Sequence, residues 1–237
     1  VMAIYHQQIY AIDVAVGMIR EALKKSGTER NTVIIYTSDN GFFCGSHGYG
    51  SKVLPYEESS RVPLIIYDPR HANSGKKLRT SALTGNIDFA PTILSLAGIS
   101  SPENMDGKNL MTVYDKHTSS LHHSLPLINV WGKEPTHALG VVTEEMKYLY
   151  WGYAAEGFKP TNELYDLKKD PLEITNQFSS SDYTKARKNM QILYDQHLAH
   201  WKKNAVTYNN YLKFGILFDR KLKWDEKVKR VESFSSK

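Results

Sequence analysis

Apolar residues recur at spacings of three and four from the start of the chain, at Tyr5, Ile9, Ile12, Val16, Ile19 and Leu23, followed by Lys24, Lys25 and Gly27. That period predicts an amphipathic helix closed by a basic last turn and a glycine stop. The chain opens inside this helix, with no strand, turn or cap before it, so a preceding segment is expected. The pattern then changes. Asn31 to Thr37 (NTVIIYT) is a continuous β-branched run of the kind buried on both faces of a parallel sheet, and it stops at Ser38-Asp39-Asn40-Gly41. Val62 to Tyr67 (VPLIIY) predicts a second strand. Asp88 to Ala97 (DFAPTILSLA) predicts a helix with Pro91 in its first turn and Gly98 just past its end.

A helix followed by a strand, with polar residues at the strand's carboxyl end, is α/β architecture, and in open α/β sheets ligands bind at that end. The α/β core is expected over residues 1–112, followed by a polar, His-rich linker at 113–126. Three short strand-like runs come next, Leu127 to Trp131, Ala138 to Thr143 and Lys147 to Trp151, with turn-sized gaps that predict an antiparallel meander. Asp182 to Lys203 has helical periodicity through Ala186, Met190, Leu193, Leu198 and Trp201. A small α+β subdomain over 127–204, one antiparallel sheet with one covering helix, is the economical reading. An aromatic and basic tail, 205–237, follows it.

With 237 residues, 41% hydrophobic and 23% charged, the chain can bury one sizeable core plus a smaller unit and lies outside the disordered range. The net charge of +5 comes from bases scattered among acids, and no nucleic-acid recognition motif accompanies it. A nucleic-acid partner is therefore not expected, whereas an anionic substrate suits the charge. Cys44 is the one cysteine, which excludes an intrachain disulfide and any CxxC metal site. No apolar run reaches the roughly 18–20 residues that span a bilayer, and Val1 to Tyr10 lacks the pattern of a signal peptide. No membrane partner is expected.

The chemistry concentrates in Ser38 to Ile65, a Gly-rich loop between two predicted buried strands that carries Asp39, Asn40, His47, Lys52, Glu57, Glu58 and Arg61. Asp39 and Asn40 offer a carboxylate and an amide carbonyl, hard oxygen donors suited to Ca²⁺ or Mg²⁺. Ser-Asp-Asn-Gly is equally the composition of a plain turn. Lys52 can place an ammonium against a tetrahedral oxyanion, or it is a solvated loop lysine. His47 can donate a proton or contact substrate, or it is simply tolerated beside glycines. Glu57, Glu58 and Arg61, at spacings of three and four, suggest a local ion-paired turn.

The same stretch resembles the sulfatase family, in which a strand leads to Ser-Asp-(Asn/His/Gln)-Gly, a Gly-rich loop with a Lys, and Tyr-Glu-x-x-x-Arg-x-Pro before the next strand. Tyr56, Glu57, Arg61 and Pro63 fall on that pattern. Further segments are similar and in the same order: YAIDVAVGMI (10–19), NIDFAPTILSLAGI (86–99), MDGKNL (105–110), GVVTEEMKYLYW (140–151) and ELYDLKKDPLEITNQ (163–177). The resemblance covers about Met2 to Lys203. Among subgroups it is closest to bacterial carbohydrate sulfatases of the N-acetylglucosamine-6-sulfatase-like group.

The resemblance implies part of an alkaline-phosphatase-like sandwich with a mainly parallel sheet, plus the small antiparallel subdomain. It also implies an exported, periplasmic or extracellular enzyme hydrolysing a sulfate ester on a carbohydrate. Asp39 and Asn40 would be ligands of an active-site Ca²⁺, with Mg²⁺ the lesser choice. Lys52 would bind the sulfate and assist departure of the leaving group, and His47, a catalytic candidate with Lys52, and His137 would face the sugar. Sulfatases use a formylglycine nucleophile made from a Cys-x-(Pro/Ala)-x-Arg motif, and Cys44, in Phe-Cys-Gly-Ser-His, is not in one. The chain is thus expected to be a C-terminal half, inactive alone, whose open sheet is covered by the N-terminal half or another chain. The rival expectations are a phosphonate or phosphate monoester hydrolase of the same superfamily and a non-catalytic polyanion-binding module.

Overall fold

The computed structural model describes residues 2–132, 134–154, 157–206 and 211–235. In chain order the main elements are α1 (Met2–Ser26), β1 (Ile34–Tyr36), α2 (Glu57–Ser60), β2 (Ile65–Tyr67), α3 (Phe89–Leu96), α4 (Met111–Asp115), β3 (Leu125–Asn129), β4 (Ala138–Val142), β5 (Met146–Trp151), β6 (Thr161–Asp166), α5 (Thr184–Asn204), α6 (Leu212–Leu217) and α7 (Trp224–Ser235). They divide into two units. The first comprises Val1–Lys52, Arg61–Ala82 and Asn86–Leu121, and the second Val53–Ser60, Leu83–Gly85 and His122–Lys237.

In the first unit the predicted opening helix forms as α1, with Lys24 and Lys25 in its last turn and Gly27 beyond it at φ +72°. None of its residues is buried, and Ile4, Ile9, Ile12, Met18 and Ile19 are exposed along it. The run NTVIIYT contributes three strand residues, and β1 pairs antiparallel with β2, Ile35 facing Ile66. The mainly parallel sheet expected of the core is represented among the described residues by this antiparallel pair. Nor is the pair enclosed on both faces as the β-branched run suggested: β1 is half-buried, and Ile65 and Tyr67 of β2 are exposed. Under this pair lies a small core of Leu110, Val113 and Leu121 with Leu64, Ile66, Ala82 and Phe89.

The second unit is built on an antiparallel sheet ordered β3-β4-β5-β6. It has four strands where three were predicted: β6 lies inside the Glu163 to Gln177 segment, and β3 begins at Leu125, within the expected linker. Along α5 the buried residues Met190, Tyr194 and Leu198 are spaced by four, so one stripe of the helix closes over Leu139, Val141, Tyr148, Tyr150 and Leu164 of the sheet. The tail adds to this core. Phe214, Leu217 and Phe218 join the same cluster, with Tyr211, Trp224 and Val231 against it, so α5 is not the sole covering helix. The basic composition of 205–237 hides an apolar i, i+3, i+4 set at Phe214, Leu217 and Phe218. Within that tail, 207–210 and 236–237 lie outside the described residues.

Among the described residues two lysines of this unit are wholly buried, and each is satisfied differently. Lys147 of β5 lies 2.8 Å from Glu57 of α2 and 2.9 Å from Glu173, whose other oxygen accepts the Glu57 backbone N–H at 2.6 Å. Burial pushes the Glu173 carboxyl above its usual range against the pull of the Lys147 ammonium. Lys227 of α7 has hydrogen bonds to neutral oxygens, donating to the Tyr150 hydroxyl and the Leu217 carbonyl, both at 2.7 Å. Desolvation lowers its pKa from 10.5 to about 8.

Removing the ammonium from the Lys147 cluster strands two glutamates that face each other across it. Lys147→Met is therefore expected to cost ~3–5 kcal/mol, the usual penalty for breaking a buried pair. The check is the urea midpoint, with Lys168→Met, at an exposed pair with Glu145, as a control that leaves it unchanged. An unchanged midpoint for Lys147→Met would contradict the assignment. Lys227 has its folded pKa below its unfolded value, so between about pH 8 and 10.5 the unfolded chain holds a proton the folded chain has released. Stability then rises with pH across that window, with a slope approaching about 1.4 kcal/mol per pH unit from this group. Denaturation at several pH values should show this rise in the wild type and its loss in Lys227→Met; parallel profiles would refute it.

Candidate metal and anion site

At the carboxyl end of β1 the chain turns sharply. The Ser38 hydroxyl donates to the Asn40 carbonyl at 2.7 Å, and the Asn40 N–H donates to Asp39 Oδ1 at 2.8 Å. Asn40 Nδ2 donates to the Gly41 carbonyl at 2.9 Å, which fixes the amide so that its Oδ1 accepts from Lys52 Nζ at 3.0 Å. Among the described residues no hydrogen bond reaches Asp39 Oδ2. Two hard oxygen donors and one ammonium are thus gathered from positions twelve residues apart along the chain.

The loop between them folds back on itself. The Phe43 N–H donates to the Ser51 carbonyl and the Gly45 N–H to the Tyr49 carbonyl, each at 2.8 Å. Phe43 is buried and meets the Tyr49 ring at a centroid distance of 5.7 Å. Gly45, at φ +109°, takes a conformation costly for any other residue and lets the loop reverse. This closed loop returns Lys52 to Asn40.

His47 sits at the tip of that loop, in the left-handed region at φ +53°, with its ring against Phe43 at 6.2 Å. Cys44 is also left-handed at φ +52° and partly exposed. His137 belongs to the second unit, immediately before β4. It is buried, with Nε2 3.3 Å from the Gly132 carbonyl and its ring edge-on to Tyr153 and Phe214 at 5.5 and 5.4 Å. Burial lowers its pKa, so the ring is neutral at pH 7. Asp39, Asn40 and Lys52 are therefore brought together and His47 shares their loop, while His137 is placed in the aromatic core of its own unit.

Glu57 reaches beyond the local turn expected with Glu58 and Arg61. Its carboxylate engages Lys147, ninety positions away in the sequence, and neighbouring Tyr56 donates to Glu163 at 3.0 Å. Reading by spacing sees only partners within one helical turn. It also passed over Asn86, whose Nδ2 donates to the Asp39 carbonyl at 3.0 Å and the Ser38 carbonyl at 3.4 Å. The only signal for Asn86 was its place at the head of the NIDFAPT segment.

The family described as N-sulphoglucosamine sulphohydrolase, C-terminal, matches residues 45–204. The N-acetylglucosamine-6-O-sulfatase of Bacteroides thetaiotaomicron is 32% identical over 206 residues, covering 84% of this chain and 36% of that protein. A solved protein described as in complex with its substrate D-glucosamine-2-N,6-O-disulfate superposes with a TM-score of 0.74 at 31% identity, over 83% of this chain and 40% of its own. The phosphonate monoester hydrolase of Agrobacterium radiobacter gives a TM-score of 0.67 at 26% identity, over 85% of this chain and 41% of its own. The chain thus spans about two fifths of the length of these relatives and shares the alkaline-phosphatase-like fold of the sulfatases. Through the match over 45–204, the chain belongs to the sulfatase family, as its N-sulphoglucosamine sulphohydrolase-type C-terminal region.

Proposed function

We propose that this chain is the cation- and sulfate-binding C-terminal part of a sulfuric ester hydrolase acting on a sulfated carbohydrate. The observation that carries the reading is the meeting of Lys52 with Asn40 at 3.0 Å, beside Asp39. The donor set fits a hard divalent cation: a carboxylate with one oxygen free of hydrogen bonds, and an amide oxygen held in place. Calcium suits it better than magnesium, because an open loop with mixed oxygen donors does not impose a tight octahedron. Such an ion supplies Lewis-acid charge at the sulfate oxygens.

Asp39 and Asn40 would hold the ion, and the Lys52 ammonium beside them would meet the anionic sulfate and offset charge that grows on the departing oxygen. His47 serves as proton donor and sugar contact. The formylglycine nucleophile of sulfatases arises from Cys-x-(Pro/Ala)-x-Arg, and this sequence holds no such motif, so the chain alone turns nothing over. The exposed apolar face of α1 supports a covering segment or chain that would carry it.

The likeness to a phosphonate monoester hydrolase favours one second reading, in which the anion is a phosphonate. The substrate class comes from the relatives, one acting on N-acetylglucosamine-6-O-sulfate by name and one solved with glucosamine disulfate.

Terbium, as a luminescent stand-in for calcium, and 6-O-sulfated glucosamine should both bind the chain. Asp39→Ala should weaken terbium about tenfold or more, the effect of losing a charged ligand. Lys52→Ala should keep the metal and lose the preference for sulfated over unsulfated sugar. Salt-sensitive sugar binding that survives Lys52→Ala would instead identify a plain polyanion binder. Joined to an upstream Cys-x-(Pro/Ala)-x-Arg segment, the protein should hydrolyse aryl sulfate faster than aryl phosphonate; the reverse order would establish the second reading.

A further inference from the structure

We infer that Asn86 is a positioning residue for the Asp39–Asn40 cation pair, and that Gly107 holds Asn86 in place. The inference rests on the proposed cation role of that pair and names what keeps it in register. Asp39 and Asn40 lie in a loop just past a strand of three residues, so their backbone is not fixed by the β1 ladder. Asn86 supplies an outside anchor, its Nδ2 donating to the Asp39 and Ser38 carbonyls at 3.0 and 3.4 Å. A side chain that ties down the main chain of a ligand sets where the ligand atoms point.

The anchor is itself rigid. Asn86 opens the short turn Asn86–Asp88 that leads into α3. Asp88 has no exposed surface; its Oδ1 accepts the Lys108 N–H at 2.7 Å, and its carbonyl accepts the Thr92 hydroxyl at 2.6 Å. Thr92, also fully buried, accepts the Leu110 N–H at 2.8 Å. These bonds seat the 107–110 segment against the turn. At Gly107 the contact is so close that a Cβ would lie 1.9 Å from the Ile87 carbonyl oxygen and 2.6 Å from its carbon. Both obstacles are backbone, so an added methyl group must move the turn, and Asn86 with it. The constraint thus runs from Gly107 through the Ile87 backbone and Asn86 to the Asp39 main chain, entirely within the first unit.

The test uses the 237-residue chain with terbium as the probe. Asn86→Ala should weaken terbium binding about fivefold, the effect of one lost hydrogen bond, with the unfolding midpoint near wild type because Asn86 is exposed. Gly107→Ala should weaken it at least as much, and the double variant no further than the weaker single, since both act through one link. Equal affinity of Asn86→Ala and wild type, or additive losses in the double variant, would overturn the inference. Should Gly107→Ala fail to fold, hydrogen exchange decides. The Asn40 amide, held by Asp39 Oδ1, should exchange faster in Asn86→Ala, and unchanged exchange would overturn the link. Terbium binding indifferent to Asp39→Ala would sink the cation reading, and the exchange result would still decide the Asn86 link.

Discussion

A lysine with no exposed surface placed between two glutamates is costly unless every charge is met, because desolvating three ions forfeits several kcal/mol each. Lys147, Glu57 and Glu173 meet that requirement with contacts of 2.8 and 2.9 Å and a backbone hydrogen bond from Glu57 to Glu173. Their geometry joins three parts of the chain that are distant in sequence: α2, the start of β5, and the turn after β6. The Val53–Ser60 segment belongs to the second unit for this reason, reinforced by Tyr56 against Glu163, Trp151 and Tyr165. The Lys52 loop leads directly into that segment along the chain.

The candidate site is built on the same principle with weaker forces. Among the described residues no buried charge holds Asp39, Asn40 and Lys52. Short hydrogen bonds do, each satisfying a group that the turn would otherwise leave unpaired. Asp39 and Lys52 are exposed, so the turn is open to solvent. It is also soft, so neighbours that order its backbone matter more than they would in a buried cluster. Asp88, Thr92 and Gly107 provide a stiff base close by.

The second unit shows how an ordinary tail becomes core. Lys227 is buried, with its charge facing carbonyl and hydroxyl oxygens and the Tyr150 ring, 4.7 Å from its centroid. The long aliphatic stem fills apolar space, and burial of the ammonium away from solvent lowers its pKa to about 8. A basic residue in a basic tail thus becomes a contact that ties α7 to the sheet.

The sequence by itself determined much of this. The period of α1, the strand at 34–36, the helices at 89–96 and 184–204, and the ordered motifs that identify the family were legible because each is local: spacing within one element, or residue types in fixed order. Asp39, Asn40 and Lys52 were legible as candidates for the same reason. Tertiary structure alone decided that Asn40 and Lys52 touch, that Glu57 answers Lys147 beyond its own turn, that Asn86 reaches Asp39, and that the tail covers the sheet. It also decided that β1 and β2 run antiparallel. These are contacts between residues far apart in the chain. Burial and hydrogen-bond satisfaction select them from many combinations that the spacing of residues leaves equally open.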